Sequence, residues 1–365
     1  MNPALSKLLR SHYLALKGYI SAGMLADKSD DKIYLNANEN PYPLPGLEGY
    51  NRYPEPQPAA LREAYARAYG VNYQQVVMTR GADEAISVLT KLFCEPHRDK
   101  ILVCPPTFGM YAVNANASPA AGIVEVPLLR EGRSFKLDKD AIIERASDPL
   151  VKLVYLCSPN NPTGGSVSHE DISEICEALE GKAVIILDET NAEFSEAGSM
   201  CADLESTPNM IILRTLSKSY ALAGLRMGCM LCGDEEFAAL VRAKGLDAYP
   251  LSRASIEAAF HALSPEIRTI AHENIKKILA ERVRMEQELP AMPGVKCVYE
   301  SDANFLLVEM EDAAGFCKFA AENDVLLRDF SAYKGTENCL RLSIGTPEQN
   351  DLVLDLLRRY AVKAA

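Results

Sequence analysis

The sequence predicts an α/β protein: a large domain built on a mainly parallel sheet, followed by a smaller α/β domain. Between Val76 and Leu213, short apolar runs alternate with segments of helical periodicity. The runs are apolar at nearly every position, as strands covered on both faces of a parallel sheet must be. After about residue 245 the rhythm changes, and a long helix-forming region opens a second alternating series.

Residues 1–35 read as a polar arm with one short helix, and Asn36 to Pro58, rich in Asn, Pro, Gly and Tyr, reads as loop. Pro58 to Tyr69 has helical periodicity and ends at Gly70, a C-cap residue. Strands are then expected at 76–78, 100–104, 123–127, 151–157, 183–187 and 210–213, with another apolar run from Met227. Helices are expected at 82–93, 108–116, 138–146 and 168–179, the last opened by Ser168 with Asp171 three residues on, a capping pattern. In the second series, the helix 265–289 precedes strands at 304–308, 325–328 and 339–344 and helices at 313–322 and 347–360. The expected division is an N-terminal arm (1–45) that packs with the small domain, a large domain (46–245) and a small domain (246–365).

Composition excludes several classes of function. Of 365 residues, 48% are hydrophobic and 24% charged, ordinary for a globular protein with a sizeable core. A net charge of −12 argues against nucleic acid or an anionic membrane as partner. No apolar run approaches a membrane span, and the first ten residues lack a charged-then-apolar signal pattern. A cytoplasmic location is expected. Most of the ten cysteines lie inside apolar runs, as buried small hydrophobes do in a reducing compartment. Cys229 and Cys232 form a lone CxxC with no second pair at ligand spacing, and the five histidines are scattered, so no metal is expected.

Five stretches carry candidate chemistry. Thr215 to Arg226, after the apolar run 210–213, holds Lys218 among hydroxyls. Such donors and the Arg226 fork suit a phosphate, and a lysine beside it can form a Schiff base with an aldehyde. A solvated surface lysine is the plain alternative. Arg80-Gly81-Ala82-Asp83 lies where a strand gives way to a helix; its first N–H groups are free for an anion, or it is simply a turn. Ser158 to Gly164 follows a strand end, where parallel sheets place ligands; two prolines present the Asn161 amide there, or the stretch is a rigid loop with no ligand. Asp188-Glu189 ends another strand, where a carboxylate either pairs with a protonated heterocyclic nitrogen or caps an element. Arg328 and Arg341 sit next to strands, as partners in structural ion pairs or as bidentate binders of an anionic substrate.

Together with further motifs, these stretches resemble the fold type I pyridoxal-phosphate-dependent aminotransferases, and most closely their histidinol-phosphate aminotransferase branch. The matching segments run in order along nearly the whole chain: NANENP (Asn36–Pro41), NRYPEPQP (Asn51–Pro58), RGADE (Arg80–Glu84), CPPTFGMY (Cys104–Tyr111), CSPNNPTG (Cys157–Gly164), DE (Asp188–Glu189), RTLSKSYALAGLR (Arg214–Arg226), LLRD (Leu326–Asp329) and CLRLSIGT (Cys339–Thr346).

The resemblance implies a large domain with a mainly parallel sheet of the seven-stranded type, a smaller C-terminal domain, an N-terminal arm and a homodimer with sites at its interface. It implies that Lys218 holds pyridoxal 5'-phosphate through its amine and later moves the proton, that Asp188 pairs with the pyridine nitrogen, and that Asn161 donates to the ring hydroxyl oxygen. The phosphate would rest on the Ala82 and Asp83 N–H groups with Thr215, Ser217 and Arg226, and on Tyr53 from the neighbouring subunit. Phe108 would stack on the ring. Arg341, assisted by Arg328, would hold the substrate's anionic group, and Tyr19 and Asn38 would line its pocket. The implied reaction is amino transfer from L-histidinol phosphate to 2-oxoglutarate. Aromatic amino acid transamination and phosphothreonine decarboxylation are the enzymatic alternatives, and a non-catalytic cofactor-binding protein is the other. Two positions depart from the family pattern. Asn191 stands where a tyrosine is usual; it can donate to the ring oxygen, but reaches less far and does not ionise. Phe108 replaces a frequent tyrosine, which keeps the stacking face.

Overall fold

The computed structural model of the chain describes residues 1–18, 33–117 and 122–364. Strands β1 (Val76–Thr79), β2 (Lys100–Val103) and β3 (Gly122–Glu125) are followed by a small hairpin, β4 (Leu129–Glu131) and β5 (Ser134–Lys136). Then come β6 (Val151–Cys157), β7 (Val184–Asp188), β8 (Met210–Thr215) and β9 (Gly228–Cys232). Seven of these make one sheet in the order β1-β9-β8-β7-β6-β2-β3. From β8 to β3 every neighbour is parallel, and β9 is antiparallel to both of its neighbours. Val154, Leu156, Ile185, Leu187 and Ile212 fill the core on one face; Leu153, Tyr155, Ile186, Ile211 and Leu213 fill it on the other. Burial on both faces is why these runs are continuously apolar.

The helices are α1 (Pro3–Ser6), α2 (Ser11–Ala15), α3 (Ala59–Tyr69), α4 (Gly81–Phe93), α5 (Met110–Ala117), α6 (Lys139–Ala146), α7 (His169–Ala178), α8 (Glu235–Leu240), α9 (Arg253–Ala262), α10 (Pro265–Glu288), α11 (Ala313–Glu322) and α12 (Pro347–Ala364). Gly70 ends α3 in the left-handed region at φ 71°, and the Ser168 hydroxyl accepts from the Asp171 N–H at 3.1 Å to cap α7. A second sheet of β10 (Val295–Val298), β11 (Phe305–Met310), β12 (Arg328–Asp329) and β13 (Cys339–Ser343), in the order β10-β11-β13-β12, is antiparallel throughout. Met285, Phe316 and Leu356 from α10, α11 and α12 close its core.

Several expectations are corrected. The strand foreseen at 325–328 shrinks to Arg328–Asp329. Asp324, at φ 64°, turns the chain out of extended geometry just before it, and Val325 and Leu327 pack on the small core while Leu326 is exposed. The β4–β5 hairpin, α8, α9 and β10 were not foreseen. The N-terminal segment was expected on the small domain, yet its described start lies on the helices of the large one. Leu5, Leu8 and Leu9 enter the core beside α4, the Arg10 N–H donates to the Leu92 carbonyl at 3.0 Å, and Lys244 donates to the Tyr13 and Leu14 carbonyls. Three leucines read as one polar arm are in fact the buried stripe that seats it.

The hairpin ties the two sheets together. Arg133 Nε donates to the Val298 carbonyl at 2.8 Å, the Glu300 N–H returns a bond to the Arg133 carbonyl at 3.0 Å, and Phe135 packs on Tyr299. Next to it, the Asp302 N–H bonds the Gly164 carbonyl at 2.8 Å. Gly164 has φ 91°, and a Cβ there would stand 3.0 Å from the Ser301 Cα, so only glycine lets the two backbones close. This closure brings β13 to the carboxyl edge of the large sheet.

Below that edge lies a buried ion network. Arg214 on β8 bonds Glu189 at 2.7 Å and Glu193 at 2.8 Å, with its guanidinium 4.5 Å over the Tyr69 ring. Removing its charge leaves two carboxylates without their cation, which costs about 3–5 kcal/mol. Arg214→Met is expected to lower the unfolding free energy by that order, read as a lower midpoint in a urea titration; an unchanged midpoint contradicts a structural role for the network.

Candidate active site

Loops leave the carboxyl ends of β2, β6, β7 and β8 side by side, the place where open parallel sheets bind ligands. Register sets Cys157 beside Asp188 and Asp188 beside Leu213. A cavity forms over these ends, walled by Phe108, Asn161, Asp188, Asn191, Lys218 and Arg341. Five of these come from four separate loops of the large domain and Arg341 from β13, so neither sheet makes the site alone.

Asp188 is buried and makes no ion pair among the described residues. Its Oδ2 accepts from the Tyr111 hydroxyl at 2.6 Å, and its Oδ1 accepts from the Thr190 N–H at 3.1 Å and the Thr190 hydroxyl at 2.7 Å. Burial pushes its pKa above the usual carboxylate range, and the Tyr111 and Thr190 donors pull against that. Lys218 is partly open to solvent, but packing around it, then the Arg341 and Arg226 guanidiniums, lower its pKa; Asp83 and Asp188 oppose the shift. A lowered lysine pKa yields more neutral amine, the nucleophilic form.

A second cluster adjoins Lys218. Ser217 N–H donates to Thr215 Oγ1 at 3.1 Å, and the two hydroxyls are 2.9 Å apart. Arg226, held at φ 53°, reaches Ser217 Oγ at 3.4 Å and Asp83 at 3.1 Å. Its guanidinium lies over Gly81, where a Cβ would sit 2.8 Å from Nη2. Gly81 starts α4, and the N–H groups of Ala82 and Asp83 in that first turn have no intrahelical acceptor. A cation, two hydroxyls and a helix N-terminus thus surround one spot, a set of donors suited to a phosphate.

Arg341 Nη1 donates to Asn161 Oδ1 at 2.6 Å, and its guanidinium lies 5.2 Å from the Phe305 ring and 5.7 Å from the Phe330 ring. Its Nε is buried without a partner. A buried donor left unpaired on a cavity wall is suited to an anionic ligand. Asn191 is buried in the wall, at the head of a short helical turn.

Other expected residues lie elsewhere. Arg328 is exposed, opposite Arg341 across the β12–β13 pair, with its guanidinium 5.8 Å from the Phe330 ring. Asn38 is exposed and does not wall the cavity; Tyr19 lies outside the described residues. Tyr53 is 55% exposed and stacks on Tyr249 at 4.3 Å, and no contact within the chain brings it to Arg226. Sequence reasoning passed over Tyr111, Thr190 and Asn160. Asn160 joins two loops of the site, accepting from Thr107 at 2.8 Å and donating to the Pro106 carbonyl at 2.9 Å. Asn304 and Phe305 of the small domain also wall the cavity. Cys229 and Cys232 are buried in different cores on opposite faces of β9, where they cannot share a metal.

The family model described as aminotransferase class I and II matches residues 30–357. The chain belongs to the class I and II aminotransferases. It is 40% identical over 359 residues to histidinol-phosphate aminotransferase 2 of Idiomarina loihiensis, covering 97% of this chain and 98% of that one. It is 40% identical over 352 residues to the histidinol-phosphate aminotransferase of Stenotrophomonas maltophilia, covering 96% and 95%. Solved structures share the fold. The histidinol-phosphate aminotransferase of Clostridium acetobutylicum superposes with a TM-score of 0.77 at 24% identity, over 86% of this chain and 91% of that one. That of Sinorhizobium meliloti in complex with pyridoxal-5'-phosphate gives 0.77 at 22%, over 86% and 84%. The residues of this chain fit that cofactor: a buried carboxylate with no cation, an amine of lowered pKa and a ready set of phosphate donors stand around one space.

Lys218 is accordingly expected to react with trinitrobenzenesulfonate, in the cofactor-free protein, at a lower pH than Lys136, whose pKa Glu131 raises. Mass-resolved peptides across a pH series measure this; the same onset for both lysines contradicts it.

Proposed function

We propose that this aminotransferase moves the amino group of L-histidinol phosphate to 2-oxoglutarate, with pyridoxal 5'-phosphate as cofactor. The observation that carries the reading is 40% identity along nearly the whole chain to histidinol-phosphate aminotransferases, joined to a cavity where Lys218, Asp188, Asn161 and Arg341 meet. When bound, the cofactor supplies an electron sink for the carbon that carries the amino group.

The chain supplies the rest. Lys218 would hold the cofactor through Nζ, and the same amine would move the proton at the substrate Cα. A pKa lowered from the ordinary lysine value suits both tasks. Asp188 keeps the ring nitrogen cationic: Oδ2 spends one lone pair on Tyr111 and has another for the ring N–H. Asn161 donates through its amide to the ring oxygen, and Asn191 stands near it in the same wall. Phe108 covers one face of the ring. Thr215, Ser217, Arg226 and the first N–H groups of α4 hold the phosphate and so fix the distance from Lys218 to the reacting carbon. Arg341 takes the anionic end of each substrate; a fork of donors serves a phosphate monoester and a carboxylate alike. Arg328, across the strand pair, would add positive charge beside Arg341, and Asn38 and Tyr19 would belong to the segment that completes the substrate pocket.

The active form is a homodimer. Ile33, Leu35, Tyr42 and Leu44 are 87%, 85%, 81% and 68% exposed, an apolar run that a second copy would cover. Tyr53, at the end of that run, then reaches the phosphate of the partner's site. No helix among the described residues is long and apolar enough to cross a membrane, and the cytoplasm suits a biosynthetic role.

The test is the absorbance of the purified protein loaded with pyridoxal phosphate. Histidinol phosphate without a keto acid is expected to shift the visible band to the near-ultraviolet, and 2-oxoglutarate to restore it. A visible band that ignores histidinol phosphate but responds to an aromatic amino acid overturns the substrate. No visible band after supplying the cofactor overturns the role of Lys218. Sedimentation as a single 40.0 kDa chain overturns the dimer.

A further inference from the structure

Asp188 sits in surroundings unfavourable to charge. Cys157 and Tyr155 flank it from β6, the Asp83 carboxylate acts on it from α4, and Lys218 supplies an opposing positive charge. Thr190, two residues on, satisfies Oδ1 through its own N–H and hydroxyl, a local turn that any short polar residue could supply. The Oδ2 donor comes from far away in sequence. Tyr111 on α5 is fully buried, stacks on Tyr155 with ring centroids 4.6 Å apart, and meets Phe108 edge-on at 5.6 Å. These contacts fix the ring and set its hydroxyl 2.6 Å from Oδ2, with the Cys157 thiol as a second, weaker neighbour. Phe108 and Tyr111, three residues apart at the head of α5, therefore serve two different parts of one cofactor: the face of the ring and the partner of its nitrogen.

We propose that Tyr111 is a positioning residue that, through its hydrogen bond to Asp188 Oδ2, keeps the ring nitrogen of bound pyridoxal phosphate protonated. The proposal rests on the cofactor reading given above. A buried carboxylate deprived of a donor gains affinity for a proton. Without the Tyr111 hydroxyl, Asp188 competes better for the proton it shares with the ring nitrogen, and the cationic ring is lost by degrees. The phenol of Tyr111 stays neutral in this role, since burial raises its own pKa well above the ordinary value.

The experiment is the 15N chemical shift of the ring nitrogen in the holoenzyme loaded with 15N-labelled pyridoxal phosphate, followed against pH. In the wild type the resonance is expected at the pyridinium position through neutral pH. In Tyr111→Phe it moves towards the neutral-pyridine position, and the cofactor binds about tenfold more weakly by titration of the cofactor-free protein, the size of one lost hydrogen bond to a charged group. Tyr155→Phe keeps the stacked ring and loses a hydroxyl bonded elsewhere, and its resonance stays with the wild type. Thr190→Val, which leaves the backbone donor to Oδ1, gives a smaller movement in the sense of Tyr111→Phe; it carries the test if Tyr111→Phe does not fold. A resonance unmoved in Tyr111→Phe, or in Thr190→Val where that variant carries the test, overturns the role of Tyr111 and leaves the cofactor reading intact. Failure of the wild type to take up pyridoxal phosphate overturns both.

Discussion

The arrangement of this protein depends on one buried carboxylate that has no cation of its own. Asp188 ends the central strand β7, in register with Cys157 on one side and Leu213 on the other, and three hydrogen-bond donors hold it. Burial without a counter-charge is costly, and its pKa moves up accordingly. Such a group persists where a cationic ligand offsets the cost, and the remaining lone pair on Oδ2 marks where that ligand binds. The other site groups are arranged around this fixed point: the phosphate donors at the head of α4, Lys218 on the neighbouring loop, and Phe108 and Tyr111 from the loop and helix after β2.

The second constraint is the junction of the two sheets. Arg341 reaches Asn161 because the β4–β5 hairpin and the contact of Gly164 with Ser301 lock the small sheet against the large one. The bond between Arg341 and Asn161 links the group that would hold the substrate's anion to the group that would hold the ring oxygen.

Much of this was legible in the sequence because it is local. A strand that ends in Asp-Glu, or one followed by Asn-Asn-Pro-Thr-Gly, announces its own loop, and Lys218 and Arg226 share a single stretch. Continuous apolar runs revealed the covered sheet. What the sequence concealed depends on tertiary packing. Tyr111 reads as one aromatic in a helix until β6 and β7 lie side by side and bring Asp188 beneath it. The seat of the N-terminal segment depended on Leu5, Leu8 and Leu9 finding the helices of the large domain, whereas their stretch alone reads as polar. The strand after Asp324 was misjudged because Val325 and Leu327 are apolar for the sake of the core and not of a ladder.

The most direct test of the central claim compares thermal unfolding of cofactor-free and pyridoxal-phosphate-loaded protein, in the wild type and in Asp188→Asn. If Asp188 is a buried charge kept for a cationic ring, the neutral variant without cofactor unfolds at or above the wild-type temperature, and it gains far less from the cofactor than the wild type does. An Asp188→Asn protein that gains as much from the cofactor as the wild type contradicts the account.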